Sequence, residues 1–343
     1  MEQSQRVRIC DIADELGLST ATVSNVIHGK TAKVSAETVK RVQALLEERR
    51  YIPSMAGILL AQNCSKIIGV FINDHEKYEG HTLDDGFVSS ALNRLSTEIE
   101  EQGLFMMVKK AKHPEEVLRF ASMWNMEGLV MMGFCDRDYM YLRNRMHIPF
   151  VVYDGSCMEP ERIVSITLDN FGGGFQVGEY YRKCGHRRAL CITDNETGVD
   201  RERIKGFKKG FCPDGGADKG GCGVQTMVVP WQKALRREFY REKLDSFRRV
   251  SAVFAVSDFY AAELMCFLQE NGFGIPKDIA VAGFDDVPMC ETVFPALTTV
   301  RQDTAMRAKV AVEKLKELKG LKENESCETS VQLPVSLVVR AST

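Results

Sequence analysis

The sequence predicts a small all-α headpiece followed by a large α/β core built as two doubly wound halves. Three observations lead there. Residues 9–49 hold three segments with apolar residues at helical spacing and cap residues between them. From residue 65 onward, β-branched runs alternate with amphipathic helical stretches, the pattern of parallel sheets covered by helices. Between the two regions lies a short apolar stretch, residues 53–64, opened by Pro53.

In the headpiece, Ile9, Ile12, Ala13 and Leu16 share one helical face and the acids Asp11, Asp14 and Glu15 take the other. Gly17 is placed to end that helix in a left-handed cap. Ser19 is an N-cap for a second helix whose buried stripe is Val23, Val26 and Ile27. Its other face, Thr20, Ala21, Thr22, Ser24 and Asn25, is small and polar, and such a face fits the ~12 Å major groove of DNA. Residues 35–49 form a third helix, capped by Ser35, with Val39, Val42, Leu45 and Leu46 on one side. Pro53 stops it and Ser54 caps a fourth segment, apolar from Met55 to Ala61 and too short to stand alone in water.

In the core, the expected strands include SKIIGVFIN (65–73), LFMMVKK (104–110), GLVMMG (128–133), PFVVYD (149–154), SITLD (165–169) and RALCITD (188–194). GVQTMVVP (223–230), SAVFAVSD (251–258) and AVAGFDD (280–286) continue the series, with helices between them, one of them spanning about 232–247. In such sheets, ligands bind at the carboxyl ends of the strands.

Composition narrows the class. Residues 1–60 carry eight Lys/Arg against seven Asp/Glu, so the headpiece is at +1 and the remainder at −3. A phosphate partner would therefore be held by a few placed contacts rather than by a strong positive field. No apolar run approaches the ~18 residues of a membrane span and no secretory h-region opens the chain, so a cytoplasmic location is expected and no membrane partner. Eleven scattered cysteines without a C-x-x-C read as free thiols, with Cys212 and Cys222 flanking a Gly-rich insertion. No nucleophile motif, metal set or phosphate loop points to an enzyme, and no cofactor is implied.

Residues 9–61 resemble the N-terminal region of the lac repressor/purine repressor family of bacterial regulators, through DIADELGLSTATVSNVIHG, VSAETVKRV and YIPSMAGILLA. DNFGGG, KCGHRR, RIKGF, AVSD, GFDD, PALTTVRQD and LPVSLVVRAST keep the family order to the C-terminus, as in its periplasmic-binding-protein-like core. The resemblance implies a helix-turn-helix domain over 1–52, a hinge helix and linker over 53–64, and an effector-binding core over 65–343. Its first subdomain would take about 65–163 and 299–328, and its second about 164–298 and 329–343. It also implies double-stranded operator DNA as partner and a small-molecule effector, a sugar or sugar derivative. A homodimer is expected, because no leucine heptad follows RAST.

Residue by residue, the resemblance places Thr20, Ala21 and Asn25 at base edges, and Ser19, Thr22 and Ser24 at phosphates and caps. Ser54 would open the hinge helix, and Leu60 would wedge into a minor-groove step. Gly57 departs from the arginine common in that helix. In the effector cleft it implies Asn73, Phe87, Asp154, Arg203, Ser257 and Asp285, with Trp231 as a stacking platform 26 residues before Ser257. Ser257 stands where asparagine is usual. The loop after Asn73 is about eight residues longer than the family pattern, and its His75, Glu76, Tyr78 and His81 either touch the ligand or form a solvated loop.

Overall fold

The structure is a computed structural model and describes residues 7–52, 65–155, 163–213, 222–321 and 328–343. The chain divides into two compact units between Ser65 and Lys66. The first holds α1 (Ile9–Leu16), α2 (Thr20–Ile27) and α3 (Ala36–Glu48). Gly17 ends α1 at φ 66°, and its successor Leu18 donates back to the Ala13 carbonyl at 2.9 Å, closing the turn that starts α2. Ile12, Ala13, Val23, Val26, Val42 and Leu45 form the buried centre of this unit. Arg49 binds both carboxylate oxygens of Glu15 at 2.9 Å, tying the end of α3 to α1.

The second unit contains two six-stranded sheets. Sheet one has β1 (Ile67–Asn73), β2 (Phe105–Ala111), β3 (Gly128–Met132), β4 (Phe150–Tyr153), β5 (Ile163–Leu168) and β11 (Ser330–Leu333). Its spatial order is β11-β5-β4-β3-β1-β2, and every pairing is parallel. Sheet two has β6 (Arg188–Thr193), β7 (Gly223–Val228), β8 (Ala252–Ala255), β9 (Ala280–Asp285), β10 (Thr298–Gln302) and β12 (Val335–Val338), in the order β12-β10-β9-β8-β6-β7. Only β12 runs antiparallel, against β10. The strands are nearly continuous apolar runs because helices cover both faces.

Five helices matter for the site. They are α4 (Gly86–Glu101), α7 (Asn170–Lys183), α8 (Gly198–Phe211), α11 (Asp258–Glu270) and α13 (Thr304–Gly320). The others are α5 (Pro114–Met123), α6 (Asp136–Arg143), α9 (Lys233–Glu242), α10 (Leu244–Phe247) and α12 (Met289–Thr292). The single helix expected over 232–247 is thus two, separated at Lys243.

The expected subdomain limits shift at all three crossings. Residues 164–168 belong to sheet one, because Phe150 to Tyr153 pair in register with Ile163 to Ile166, burying them there; the chain crosses at Asp169 instead. Residues 299–302 stay in sheet two, where β10 pairs with β9 and β12, and the crossing comes at Asp303. Residues 330–333 return to sheet one beside β5, not to the second subdomain. Pro334, which has no N–H for a ladder, marks the last crossing.

Candidate DNA-reading face and effector cleft

Ser19 caps α2 by accepting the Thr22 amide at 3.1 Å, and its hydroxyl lies 2.9 Å from that of Thr22. One proton of this hydroxyl pair is left for an external acceptor. Thr20, Ala21 and Asn25 are exposed, whereas Thr22 and Ser24 are half-buried. Val23 and Val26 point the opposite way into the helical core. The small polar face is therefore presented to solvent by the packing of the apolar one. Ser54 and Leu60, with the rest of the hinge segment, lie outside the described residues.

In the core unit, Asp154 follows β4 and Asp285 ends β9, so the two carboxylates belong to different sheets. Both take positive φ, 77° and 124°, a conformation that side-chain-bearing residues rarely adopt and that concentrates at functional sites. A hydrogen-bonded relay joins them. The Arg307 guanidinium on α13 donates to Asp154 Oδ1 at 2.8 Å and to Gln302 Oε1 at 2.8 Å. Gln302 Nε2 then donates to Asp285 Oδ1 at 3.0 Å. Arg203 of α8 closes the series, with Nη1 at 3.8 Å from Asp285 Oδ1. Its other bonds fix it beside α7 and the end of β8: Nε to Asn170 Oδ1 at 2.8 Å and Nη1 to the Val256 carbonyl at 2.7 Å. Its guanidinium carbon lies 3.7 Å from the Phe284 ring centre.

Burial alone would raise Asp154, but Arg307, with Arg203 behind it, outweighs burial and holds the carboxylate below its ordinary range. Asp285 goes the other way. Burial drives it well up, Arg203 opposes, and Asp258 and Asp154 add repulsion. The two carboxyls are thus pushed in opposite directions, Asp154 toward its ionised form and Asp285 toward its protonated form.

The remaining expected residues are distributed around these two. Asn73, at the end of β1, donates its amide to the Gly133 carbonyl at 2.8 Å. Phe87, in the first turn of α4, lies 6.4 Å from the Tyr153 ring. Ser257 is an N-cap of α11, its hydroxyl accepting the Tyr260 amide at 3.5 Å, so the hydroxyl serves the helix. Trp231 is half-buried rather than part of the core, and its carbonyl is pinned by buried Arg236 at 2.7 Å. A cavity of about 600 Å³ borders Phe87 and Asp285, together with Asn93, Arg94, Arg301 and Gln302. Asn73, Asp154, Arg203, Trp231 and Ser257 do not line it. Of the long loop, Tyr78 is half-buried and His75 meets the Trp231 ring, while Glu76 and His81 are exposed.

Arg307 and Gln302 were not among the expected contacts. The signal was present: one arginine interrupts the apolar face of α13 formed by Ala308, Ala311, Val312 and Leu315. A fully buried arginine needs an acid partner. Among the described residues, no group of three His, Cys, Asp or Glu is placed to hold a metal ion. Cys212 and Cys222 face each other at 2.7 Å as free thiols, and burial pushes Cys212 up to about 12, which keeps it protonated.

Residues 8–54 match the family model described as bacterial regulatory proteins, lacI family, and residues 179–343 match a periplasmic binding protein-like domain. The chain is 28% identical over 352 residues to the HTH-type transcriptional repressor PurR of Salmonella newport, covering 97% of this chain and 96% of that one. It belongs to the lacI family of bacterial regulators. Another member, PurR of Vibrio parahaemolyticus, is 26% identical over 97% of both chains. The fold of this regulator superposes on a lac repressor dimer bound to operator and the anti-inducer ONPF with a TM-score of 0.82, at 23% identity over 98% of this chain and 99% of that one. The CelR–cellobiose complex gives 0.69 at 22% identity, over 98% and 100%. The family relatives are transcriptional repressors, not enzymes, and the lacI-family headpiece is a DNA-binding one. Among the described residues, no helix is long and apolar enough to cross a membrane.

Proposed function

We propose that this protein is a ligand-responsive transcriptional repressor that binds a pseudo-palindromic operator as a homodimer and senses a small hydroxylated molecule, a sugar or sugar derivative, in the cleft of its core. The observation that carries the reading is the relay Asp154–Arg307–Gln302–Asp285, which joins the carboxyl ends of two sheets beside a cavity that Gln302 and Asp285 border. Thr20, Ala21 and Asn25 read base edges, with Asn25 suited to adenine N6 and N7, and Ser19, Thr22 and Ser24 meet phosphates. Paired hinge segments bring Leu60 to the minor groove. Asn73, Phe87, Asp154, Arg203, Ser257 and Asp285 contact the effector, with Trp231 flanking it. Its place is the cytoplasm, where the operator is.

Effector binding shifts the protein only by as much as it prefers one lobe arrangement. A thermal-shift screen of the full-length protein against sugars, sugar phosphates and nucleobases tests the ligand class. A ligand at ~100 times its Kd adds about 2.7 kcal/mol. Asp285→Ala is expected to abolish that shift while operator binding, measured by fluorescence anisotropy, is kept. A shift retained by the variant removes Asp285 from the site, and a response to nucleobases alone overturns the sugar assignment.

A further inference from the structure

The insertion after Asn73 is folded rather than irregular, although His75, Glu76, Lys77 and His81 are exposed. It forms two short 3₁₀ turns, Glu76–Tyr78 and Thr82–Asp84, and is anchored at both ends. Thr82 donates to Asp74, Lys110 pairs with Asp74 at 3.1 Å, and Asp85 caps α4 through the amides of Phe87 and Val88. The Lys77 amide donates to His75 Nδ1 at 3.0 Å, which fixes the imidazole. From this frame the segment reaches sheet-two residues. The His75 ring sits edge-on against Trp231, centroids 6.1 Å apart at 78°. The exposed Lys77 ammonium lies 5.1 Å from the Tyr78 ring centre and has no ion pair among the described residues. The 600 Å³ cavity borders Phe87 and Asp285 and is not lined by Trp231.

We propose that residues 75–78 are a built-in occupant of the Trp231 side of the cleft. His75 covers the indole, its ring held by the Lys77 amide. Trp231 becomes a stacking surface only when His75 leaves it, and a ligand that leaves the insertion in place is confined to the Phe87–Asp285 side. The proposal deepens the cleft reading above, but its test needs no effector, so it stands or falls apart from the ligand class.

Trp124 and Trp231 are the only two tryptophans, so Trp124→Phe leaves Trp231 as the single indole of the full-length protein. Acrylamide quenching of its emission then reports cover by His75. In this background His75→Ala is expected to raise the quenching constant severalfold and to shift emission to the red. Glu76→Ala, an exposed neighbour, is expected to leave both unchanged. Equal quenching in the parent and the His75→Ala variant, with far-UV circular dichroism unaltered, overturns the proposal. So does a Trp231 already as accessible in the parent as free indole.

Discussion

Asp200 holds a raised proton affinity, up to about 6, because burial disfavours its charge; Arg203 pulls it down and Asp194 pushes it up. Asn195 donates to it at 2.8 Å. A folded-state value above the ordinary 3.8 means the folded chain keeps a proton that the unfolded chain releases. The stabilisation from that proton is complete below about pH 4 and is lost as pH rises through 6. Asp200→Asn removes the titration. The urea midpoint of the variant should therefore rise relative to the parent between pH 4 and pH 7, and a constant difference would contradict the raised value. At this scale the site was partly legible. Asp154, Arg203 and Asp285 lie on strand ends and motif positions, where a single chain marks them. Arg307 and Gln302 come from a crossing whose path only the paired strands reveal. Trp231 was legible as a ring near the cleft, but its contact with His75 depends on how a loop folds.

Helices α7 and α8 meet through glycine on both sides. A Cβ on Gly206 would lie 1.9 Å from the Phe171 carbonyl oxygen, and one on Gly210 2.2 Å from that of Phe175. In return, Gly174 faces the Arg203 carbonyl at 2.1 Å and Gly178 that of Phe207 at 2.3 Å. The two backbones thus touch over two turns, and the element that carries Arg203 and Asp200 is fixed to the one that carries Asn170. Gly206→Ala gains about 1 kcal/mol of helix propensity but forces the helices apart. Overpacking of this kind costs about 1–3 kcal/mol, and here it meets rigid backbone, so net destabilisation is expected. Gly320→Ala at the end of α13 meets nothing within 4 Å and is expected to be neutral or stabilising. Chemical denaturation of the two variants separates crowding from propensity. The glycine spacings 174/178 and 206/210 are visible in the sequence, yet which helix they face is not. Strand–helix alternation made the elements themselves legible, because the central runs, such as Ile67–Asn73 and Ala252–Ala255, are buried on both faces.

At the scale of the molecule, headpiece and core are separate compact units, each with its own apolar centre. Leu60→Ala is accordingly expected to weaken operator binding about tenfold, equivalent to 1.4 kcal/mol, with the unfolding transition of the core unchanged. Unaltered affinity in an anisotropy titration would remove Leu60 from the DNA-binding set. The order of domains was legible from the change in periodicity near residue 65. The subdomain limits were not, since β5, β10 and β11 join their sheets by register with strands far away in sequence. The three crossings at Asp169, Asp303 and Pro334 have one more consequence. A protease that nicks the chain once, at any of them, leaves a fragment contributing strands to both sheets. No single cut sets a lobe free, so a singly nicked core should still migrate as one particle until denatured.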